Sequence, residues 1–445
     1  MRRGIHLTQK TYLLVYFIGL MIFGCALLYL PVSFRGPERL TIIDALFTSV
    51  SAVCVTGLIT VDTALYTTFG KLVILFLIQS GGLGIITFST LYLATPRRKI
   101  SLASAGMIKT YYLDSVEYKA RNIVREIIIT TFLIELAGSL VLFAAFRKTV
   151  PQHTYFTALF HSVSAFCNAG FSLFSSNLEA YAANVPVLLV IPALIFTGGI
   201  GFVVIRDCTK RVSREKKHLS LHSKLALSVS AALIAAGTLA YLILESRGAF
   251  KGMPFGLKFL NAFFQAVTDR TAGFDTINQA ALSVPSKVLT LPLMFIGGSP
   301  GSISGGIKVT TFFLIIGAAL KSRSQEGELA VFNRNVPPQR ISQAQLFFIK
   351  ALIILFSCIF LLTITENIFN ASHPSFIEIV FESFSAFGTV GLSLGITAGL
   401  SAAGKIVIIL TMFAGRVGLI LIAIPGSLSM LDKKVDYPEG EVLIG

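Results

Sequence analysis

A fifteen-residue pattern occurs four times along the chain and indicates a fold built from four similar units. Aligned without gaps on a glycine, the copies are "DALFTSVSAVCVTGL" (44–58), "TALFHSVSAFCNAGF" (157–171), "LNAFFQAVTDRTAGF" (260–274) and "EIVFESFSAFGTVGL" (378–392). In each copy a phenylalanine stands ten residues before the glycine, and Leu or Phe follows it. The glycines are 113, 103 and 118 residues apart, and four matches of this kind indicate an internal repeat.

The composition indicates that the four units lie in a lipid bilayer. Hydrophobic residues make up 54% of the 445 residues and charged residues 13%, whereas a soluble domain carries about 25% charged residues. The apolar residues also form blocks of about 20, the length of a membrane-spanning helix. Clear examples are 12–31, 127–146, 186–205, 225–244, 345–364 and 405–424. We therefore predict an all-α polytopic membrane protein.

The placement of the positive charges predicts the orientation of the chain. Lys and Arg are concentrated in 97–125, 206–224, 321–340 and before the first apolar block, whereas 367–401 contains neither. Because cytoplasmic segments carry the excess of Lys and Arg, we expect the rich segments and both termini in the cytoplasm. This placement accounts for the net charge of +15, and we do not expect nucleic-acid binding.

Each copy of the pattern predicts a short helix followed by an extended loop. The helical part has roughly ten residues, too few to span a bilayer, and the glycine-containing end is not typical of a helix. An apolar block precedes each copy and another follows it, so each unit is a helix, a pore loop and a helix. Non-helical backbone at membrane depth is tolerated only where it is buried in protein or lines a watery cavity. Four such units predict a pseudo-fourfold central pore.

The end of each loop is suited to binding a cation through the backbone. The four segments are Val55-Thr56-Gly57, Asn168-Ala169-Gly170, Thr271-Ala272-Gly273 and Thr389-Val390-Gly391. Glycine permits the backbone angles that turn successive carbonyls inward, and rings of carbonyl oxygens replace the hydration shell of an ion. The C-terminal ends of four short helices also direct partial negative charge toward the axis. No carboxylate stands at these positions, so we predict a filter of neutral dipoles.

A polar stretch interrupts the last apolar run of the third unit. "GGSPGSISGGIK" (297–308) separates apolar residues 288–296 from 309–320, and neither half is long enough to cross a core of about 30 Å. Gly297 lies 24 residues after Gly273, which places the stretch below the filter. A surface loop between two buried helices is the alternative. We predict a gating loop containing Gly297, Gly298, Ser299, Gly301, Ser302, Ser304, Gly305, Gly306 and Lys308.

Two arginines lie in apolar or pore-like surroundings. Arg416 is central in the last apolar block, where a charge costs about 2.5 to 3.5 kcal/mol, so we predict that it faces the pore and belongs to the gate. The alternative for Arg416 is a structural bond to a buried acid. Arg270 directly precedes Thr271 and would repel a cation if it pointed inward. We expect it to point behind the filter, toward a carboxylate such as Asp269 or Glu382.

These features resemble the Trk/Ktr/HKT superfamily of potassium transporters over essentially the whole chain. Thr389-Val390-Gly391 is similar to the first half of the potassium-channel filter, and one glycine per unit is typical of the superfamily. The second half of that filter is missing, because Leu58, Phe171, Phe274 and Leu392 follow the glycines. A serine in place of the first glycine marks a sodium-preferring plant branch, so Gly57 implies K⁺. The family also has an intramembrane gating loop at the place of 297–308.

The short chain looks most like the membrane subunit of bacterial Ktr systems, and this resemblance implies partners. We expect a homodimer in the cell membrane, regulated by a cytoplasmic ring of Rossmann-type subunits that responds to ATP and ADP. No segment of this chain carries a nucleotide fingerprint, so the nucleotide is expected on that partner. We expect no cofactor on this chain beyond K⁺, and whether Na⁺ is co-transported or only activates is open. Segments 208–222, 321–341 and the tail 431–445 are the expected contacts.

The repeat divides the chain into four units and a tail. The expected bounds are 1–98, 99–210, 211–325 with the broken last helix, 326–430, and the cytoplasmic tail 431–445. A secondary cation carrier with Na⁺-coupled symport is an alternative, because carriers also use unwound backbone, but they show twofold repeats. A membrane-embedded enzyme is a further alternative. It would need clustered acids, histidines or cysteines, of which the apolar segments offer few.

Overall fold

The computed structural model describes residues 9–37, 39–94, 120–147, 149, 153–320, 329–370 and 373–418. The first unit contains α1 (Gln9–Leu28), α2 (Ile42–Cys54) and α3 (Thr68–Ala94). The second contains α4 (Ala120–Phe146), α5 (Thr154–Phe166), α6 (Val185–Ile200) and α7 (Phe202–Val212). The third contains α8 (Leu221–Glu245), α9 (Phe255–Thr268), α10 (Val284–Phe295) and α11 (Val309–Leu320). Each unit thus repeats a long helix, a short helix and a further helix or helix pair.

A small antiparallel hairpin leads into the fourth unit. Its strands are β1 (Leu329–Val331) and β2 (Arg334–Val336), with Leu329 paired to Val336. The fourth unit contains α12 (Pro338–Phe369), α13 (Phe376–Gly388), α14 (Ala402–Phe413) and a π-helical turn, Ala414–Gly418. The two termini, the tail 431–445 and the basic residues of 97–119 lie outside the described residues.

The long helices agree with the predicted polytopic fold. In the described ranges, five helices are long and apolar enough to span a membrane, namely α1, α3, α4, α8 and α12. The block at 186–205 is not one straight span, because α6 and α7 meet at an angle of 101°. Gly201 stands at this bend with a φ of +90°, in the region that favours glycine. The expected boundary at 210 therefore falls inside α7.

The short helix of each unit is buried in the protein, as the repeat predicts. These four pore helices, α2, α5, α9 and α13, have 13, 13, 14 and 13 residues. Local sequence sets the start of two of them: the Thr41 hydroxyl caps the Asp44 N–H of α2, and Ser375 and Glu378 form a capping box at α13. Their lengths are too short to span a bilayer, so the chain must turn back within the membrane.

The helices that follow the pore helices pack closely against them at glycines. A Cβ added to Gly81, Gly198 or Gly415 would overlap a carbonyl oxygen at the end of the pore helix in the same unit. In each case this carbonyl belongs to the residue four positions before the pattern glycine of that unit, as Val53 stands before Gly57. Small residues permit such an approach of two backbones. The approach holds the ends of α2, α5 and α13 near the centre of the molecule.

The four units follow one another around a closed ring. The helix that follows the pore helix in each unit packs against the pore helix of the next unit: α3 contacts α5, α6 contacts α9, and α10 contacts α13. The helix α14 of the fourth unit then contacts α2 of the first. An ion pair of 2.9 Å between Lys405 and Asp44 supports this last contact. The predicted pseudo-fourfold architecture is therefore confirmed.

Candidate functional site

The four pattern glycines meet at the centre of the ring. A Cβ added to each would lie 3.1, 2.9, 3.1 and 3.0 Å from the Cα of the glycine in the next unit, in the order Gly57, Gly170, Gly273 and Gly391. The fourth contact returns to Gly57 and closes the circle. Each added Cβ would also touch or overlap the carbonyl oxygen of the residue before that neighbouring glycine. Glycines and backbone carbonyls from all four units therefore surround one axis.

The backbone of these segments repeats the same unusual geometry in every unit. The first residue of each segment has a left-handed φ: +57° at Val55, +55° at Asn168, +71° at Thr271 and +50° at Thr389. The glycine two positions later has a φ of +94°, +67°, +75° and +97° in the same order. Non-glycine residues adopt positive φ rarely, so four equivalent cases indicate a shared constraint. We call these four three-residue stretches the central segments.

Hydroxyl groups of the pore helices hold the central segments from behind. In the first and fourth units the N–H of the glycine donates to Ser51 or Ser385, at 3.1 Å in both. In the second and third units Ser164 and Thr268 instead donate to the carbonyl of Phe171, at 2.8 Å, and of Phe274, at 2.6 Å. The carbonyls after those two glycines are thus bonded to the pore helices. The pore helices therefore anchor the central segments on the side that faces away from the axis.

The broken helix of the third unit forms a compact loop with a hydrogen-bonded neck. The N–H of Gly297 donates to Ile307 at 2.8 Å, and the N–H of Val309 donates to Gly298 at 3.1 Å. The helices on either side, α10 and α11, have 12 residues each, so neither spans alone, as predicted. The stretch 297–308 is enclosed by protein rather than lying on the surface, because most of its residues are buried.

This intramembrane loop lies directly against the first residues of the central segments. The Asn168 amide and the Ser304 hydroxyl are 3.0 Å apart. A Cβ on Gly305 would overlap the Thr389 hydroxyl, and one on Gly297 would lie 3.3 Å from the Thr271 methyl group. The loop therefore contacts three of the four central segments on one side of the glycine ring. This position agrees with the depth predicted from the spacing of Gly297 and Gly273.

Several buried hydroxyl groups around the axis have no protein partner. In the part of the chain that the structure describes, these are the side chains of Thr56, Thr271, Thr389, Ser299 and Ser302. Buried polar atoms are normally satisfied by hydrogen bonds, and an unsatisfied one calls for water or an ion. Three of them belong to the central segments and two to the loop. Their arrangement suits a hydrated path for a cation through the ring and past the loop.

Arg416 reaches the intramembrane loop from the fourth unit. It lies in the π-helical turn after α14, is 3% exposed, and its Nη1 donates to the carbonyl of Ile303. Among the described residues it forms no ion pair with an acid, so the alternative of a bond to a buried carboxylate is not supported. Lys308, at the other end of the loop, donates through Nζ to the carbonyl of Ser304. Two cations therefore bind loop carbonyls.

The prediction that Arg270 contacts a carboxylate is wrong. Its guanidinium contacts no carboxylate in the described ranges. It donates instead to the Ser230 hydroxyl at 3.2 Å and to the Gly297 carbonyl at 3.0 Å. Asp269 is bonded to Tyr241 and Gln265 instead. Asp269 and Arg270 lie in the turn after α9 and their side chains bind different partners, so adjacency in sequence did not predict the contact. Arg270 thus binds the start of the loop, and Arg416 binds its middle.

The bend between α6 and α7 also belongs to this site, although sequence reasoning missed it. The carbonyls of Gly198 and Gly199 accept from Ile303 at 3.2 Å and from Ser299 at 2.9 Å, and Phe202 donates to Gly301 at 3.2 Å. The motif "GGIG" at 198–201 indicates close helix packing or a place in the pore lining, but not a bond to the loop. Loop and bend form one hydrogen-bonded unit near the glycine ring, so movement of α7 bears directly on the loop.

Comparison with known proteins places this geometry in a family. The TrkH model, described as a cation transport protein, matches residues 8–434. The chain is 39% identical to the Ktr system potassium uptake protein B of Bacillus subtilis, covering 100% of this chain and 98% of the relative. It is 37% identical to the potassium/sodium uptake protein NtpJ of Enterococcus hirae, with 96% and 95% covered.

A solved structure shares the fold. The potassium transporter TrkH from Vibrio parahaemolyticus superimposes with a TM-score of 0.75 at 18% identity, covering 97% of this chain and 87% of that one. Its fold agrees with the four units around one axis. The full-length match of the family model agrees with the fourfold pattern along the whole sequence. The chain therefore belongs to the TrkH family of cation transport proteins.

Proposed function

We propose that this chain is the ion-translocating subunit of a Ktr-type K⁺ uptake system. The observation that carries the proposal is the closed ring in which each pattern glycine faces the carbonyl oxygen of the next unit. Relatives at 39% and 34% identity bear the name Ktr system potassium uptake protein B. These relatives are transporters and not enzymes, and the chain is a multi-pass membrane protein.

The central segments act as the filter for K⁺. Carbonyl oxygens of residues 55–57, 168–170, 271–273 and 389–391 replace the water around the dehydrated ion. The four pore helices end at these segments, so their C-terminal partial charges favour a cation there. A membrane potential of 100 mV is worth about 2.3 kcal/mol per unit charge, which suffices to drive uptake without a coupling ion.

The loop 297–308, together with Arg416, acts as the gate. The loop contacts the inner residues of three filter segments, and the Arg416 guanidinium adds a positive charge on the same side. Glycines at 301 and 306 have φ values of +76° and +59°, which permit backbone changes that other residues resist. Displacing the loop opens the path to the cytoplasm.

A cytoplasmic partner controls this gate. The relatives are named as proteins of a Ktr system, and this name supports the presence of a partner subunit. We take the partner to be a ring of Rossmann-type subunits that responds to ATP and ADP and binds a homodimer of this chain. Two helices link the loop to the predicted contact segments: α7 runs into 208–222, and α11 is followed by 321–341, of which 329–341 is described. Both termini lie in the cytoplasm in this proposal. A pull on α7 reaches the loop through the bond of Phe202 to Gly301, and a pull on α11 reaches it through the bond of Val309 to Gly298.

Uptake measurements test the function. Liposomes that contain the purified protein and are loaded with K⁺ should take up external ⁸⁶Rb⁺ without any organic substrate. Excess external K⁺ should inhibit this uptake more strongly than excess Na⁺. Liposomes without protein are the control. If correctly inserted protein moves no Rb⁺ with or without its partner, the chain is not a K⁺ pathway. The name of NtpJ favours a second candidate, Na⁺-coupled symport, and ²²Na⁺ uptake that rises with external K⁺ would support it.

Site-specific photo-crosslinking tests the partner contacts. A photoreactive residue at exposed Lys217 or Arg334 should cross-link to the soluble partner in an active complex, because both lie on the predicted cytoplasmic side. Lys251 is the matched control, since it is also an exposed cation but lies between α8 and α9 on the opposite side. Equal labelling at Lys217 and Lys251, or none at either cytoplasmic position, contradicts the proposed docking segments.

A further inference from the structure

Two of the four filter segments are followed by a serine whose hydroxyl bonds to the pore helix of the same unit. Ser172 and Ser393 each stand two residues after their filter glycine, Gly170 and Gly391. The Ser172 hydroxyl is 2.9 Å from Nε2 of His161. The Ser393 hydroxyl donates to Glu382 at 2.8 Å. Both partners belong to pore helices and stand nine residues before the glycine, so the two bonds occupy the same register.

The two bonds agree in further detail. The Ser172 oxygen also accepts from the N–H of Phe174 at 3.1 Å, and the Ser393 oxygen from the N–H of Gly395 at 3.0 Å. In both units, one serine hydroxyl therefore joins the pore helix to the backbone that leaves the filter. We call each serine with its pore-helix partner a filter tether.

The hydrogen-bond partners define the direction of the bond to His161. Its Nδ1 lies 2.8 Å from the carbonyl of Thr157, which can only accept, so Nδ1 carries a proton. In the neutral ring Nε2 is then an acceptor, and the Ser172 hydroxyl donates to it. The Glu382 carboxylate likewise accepts from Ser393, and its other oxygen accepts from Thr397. In both tethers the serine donates to the pore helix.

Both pore-helix partners are rigidly enclosed. His161 and Glu382 are 0% exposed. The His161 ring stacks on Phe174 with a centroid distance of 4.8 Å, and it meets Phe146 edge to face at 5.4 Å. A side chain fixed in this way transmits its position to the serine, since neither His161 nor Glu382 can follow a movement of the outer end of the filter without breaking other contacts.

The other two units cannot form a tether. At the pore-helix position they have Thr48 and Phe264, and at the position of the serine they have Ile59 and Asp275. The Thr48 hydroxyl lies 3.1 Å from that of Tyr66 instead. Because the units follow in order around the axis, the tethered second and fourth units face each other. The far end of the filter therefore has twofold rather than fourfold symmetry.

We propose that His161 and Glu382 are positioning residues that set K⁺ preference by fixing the outer ends of two opposite filter segments. The inference rests on the proposed filter function. This filter lacks the second half found in potassium channels, and the carbonyls of Phe171 and Phe274 are bonded to pore-helix hydroxyls. The outer end therefore has few backbone groups to define a coordination site. Tethers on opposite sides fix the backbone that leaves Gly170 and Gly391, and so hold the carbonyls of these two segments at the spacing that distinguishes K⁺ from Na⁺.

Paired substitutions in the second unit test the tether. His161→Phe keeps an aromatic ring beside Phe174 but removes both ring nitrogens, and Ser172→Ala removes only the hydroxyl. Each should lower the ratio of K⁺ to Na⁺ uptake about three- to tenfold, the range of one net hydrogen bond. The double variant should be no worse than the more impaired single variant, because both changes break the same bond.

Rescue separates positioning from a general structural effect. In His161→Gln the side-chain amide can reach the place of Nε2, so the selectivity ratio should return at least halfway to that of the original protein. In the fourth unit, Glu382→Gln keeps an oxygen acceptor for Ser393 and should retain more selectivity than Glu382→Ala. Thr48→Val, at the same register of the untethered first unit, is the control and should leave the ratio unchanged.

The outcomes distinguish this inference from the proposed function. Original protein that transports K⁺ selectively, with His161→Phe and Ser172→Ala equally selective, overturns the tether and leaves the filter intact. Additive losses in the double variant overturn it as well. Original protein without K⁺ selectivity contradicts the filter itself. If His161→Phe does not insert, Ser172→Ala and Ser393→Ala decide the question, because each removes a single oxygen atom.

Discussion

Replacing Gly57 or Gly391 with Ser is expected to lower the preference for K⁺ over Na⁺ by at least about tenfold. At these glycines φ is +94° and +97°, where an L-residue is strained by about 1–3 kcal/mol. About 1.4 kcal/mol of lost discrimination corresponds to a factor of ten. The added Cβ would also overlap the carbonyl oxygen of Ala169 or Thr56 in the next unit. The ring of glycines must widen or its carbonyls must rotate, and either change would degrade the proposed coordination of a dehydrated ion.

A control for these variants is a glycine that also has a positive φ but lies away from the central ring. Gly252 has a φ of +83° and nothing within 4 Å of an added Cβ, and it lies between α8 and α9. Gly252→Ser should therefore leave ion selectivity unchanged. Selectivity is measured by the inhibition of ⁸⁶Rb⁺ uptake: the fraction of uptake that external K⁺ blocks is divided by the fraction that the same concentration of Na⁺ blocks. If all four single serine variants of Gly57, Gly170, Gly273 and Gly391 retain the original ratio, the ring is not the filter.

Arg416→Ser, or deletion of part of 298–305, is expected to raise K⁺ flux about tenfold or more and to loosen its dependence on the partner. Two unit charges 4 Å apart repel by about 4 kcal/mol at the effective dielectric of a protein surface, so in the proposed gate the guanidinium would be a substantial barrier. The same side chain bonds Ile303 and so helps to hold the loop under the filter. Removing either component lowers the barrier to the ion.

Arg416→Lys separates the two roles of this residue. Lysine keeps the charge but lacks the planar guanidinium fork. Flux close to that of the original protein would assign the barrier to charge, whereas flux like that of Arg416→Ser would assign it to the bond with the loop. Initial rates of Rb⁺ uptake with and without the partner provide the measurement. If Arg416→Ser and the loop deletion are both stably inserted yet no faster than the original, the loop is structural and the gate lies elsewhere.

Much of the fold followed from the sequence, because its constraints act locally and repeat. The apolar blocks have about the 20 residues that a spanning helix needs, and the windows around Gly57, Gly170, Gly273 and Gly391 share one register. A short helix and a glycine loop cannot remain at membrane depth unless other protein surrounds them. Four copies of that requirement have a common solution, a ring, which the structure confirms. The depth of 297–308 followed from the same register.

The tertiary structure alone decided which groups meet between units. Arg270 binds Gly297 rather than a carboxylate, α6 bends at Gly201, and Arg416 bonds Ile303, 113 residues away in the chain. The direction of a buried side chain depends on the space and acceptors that other units leave for it, and no local pattern encodes these. The residues of the filter tethers stand at matching positions in the sequence, but only the tertiary structure shows that each serine bonds to its partner on the pore helix.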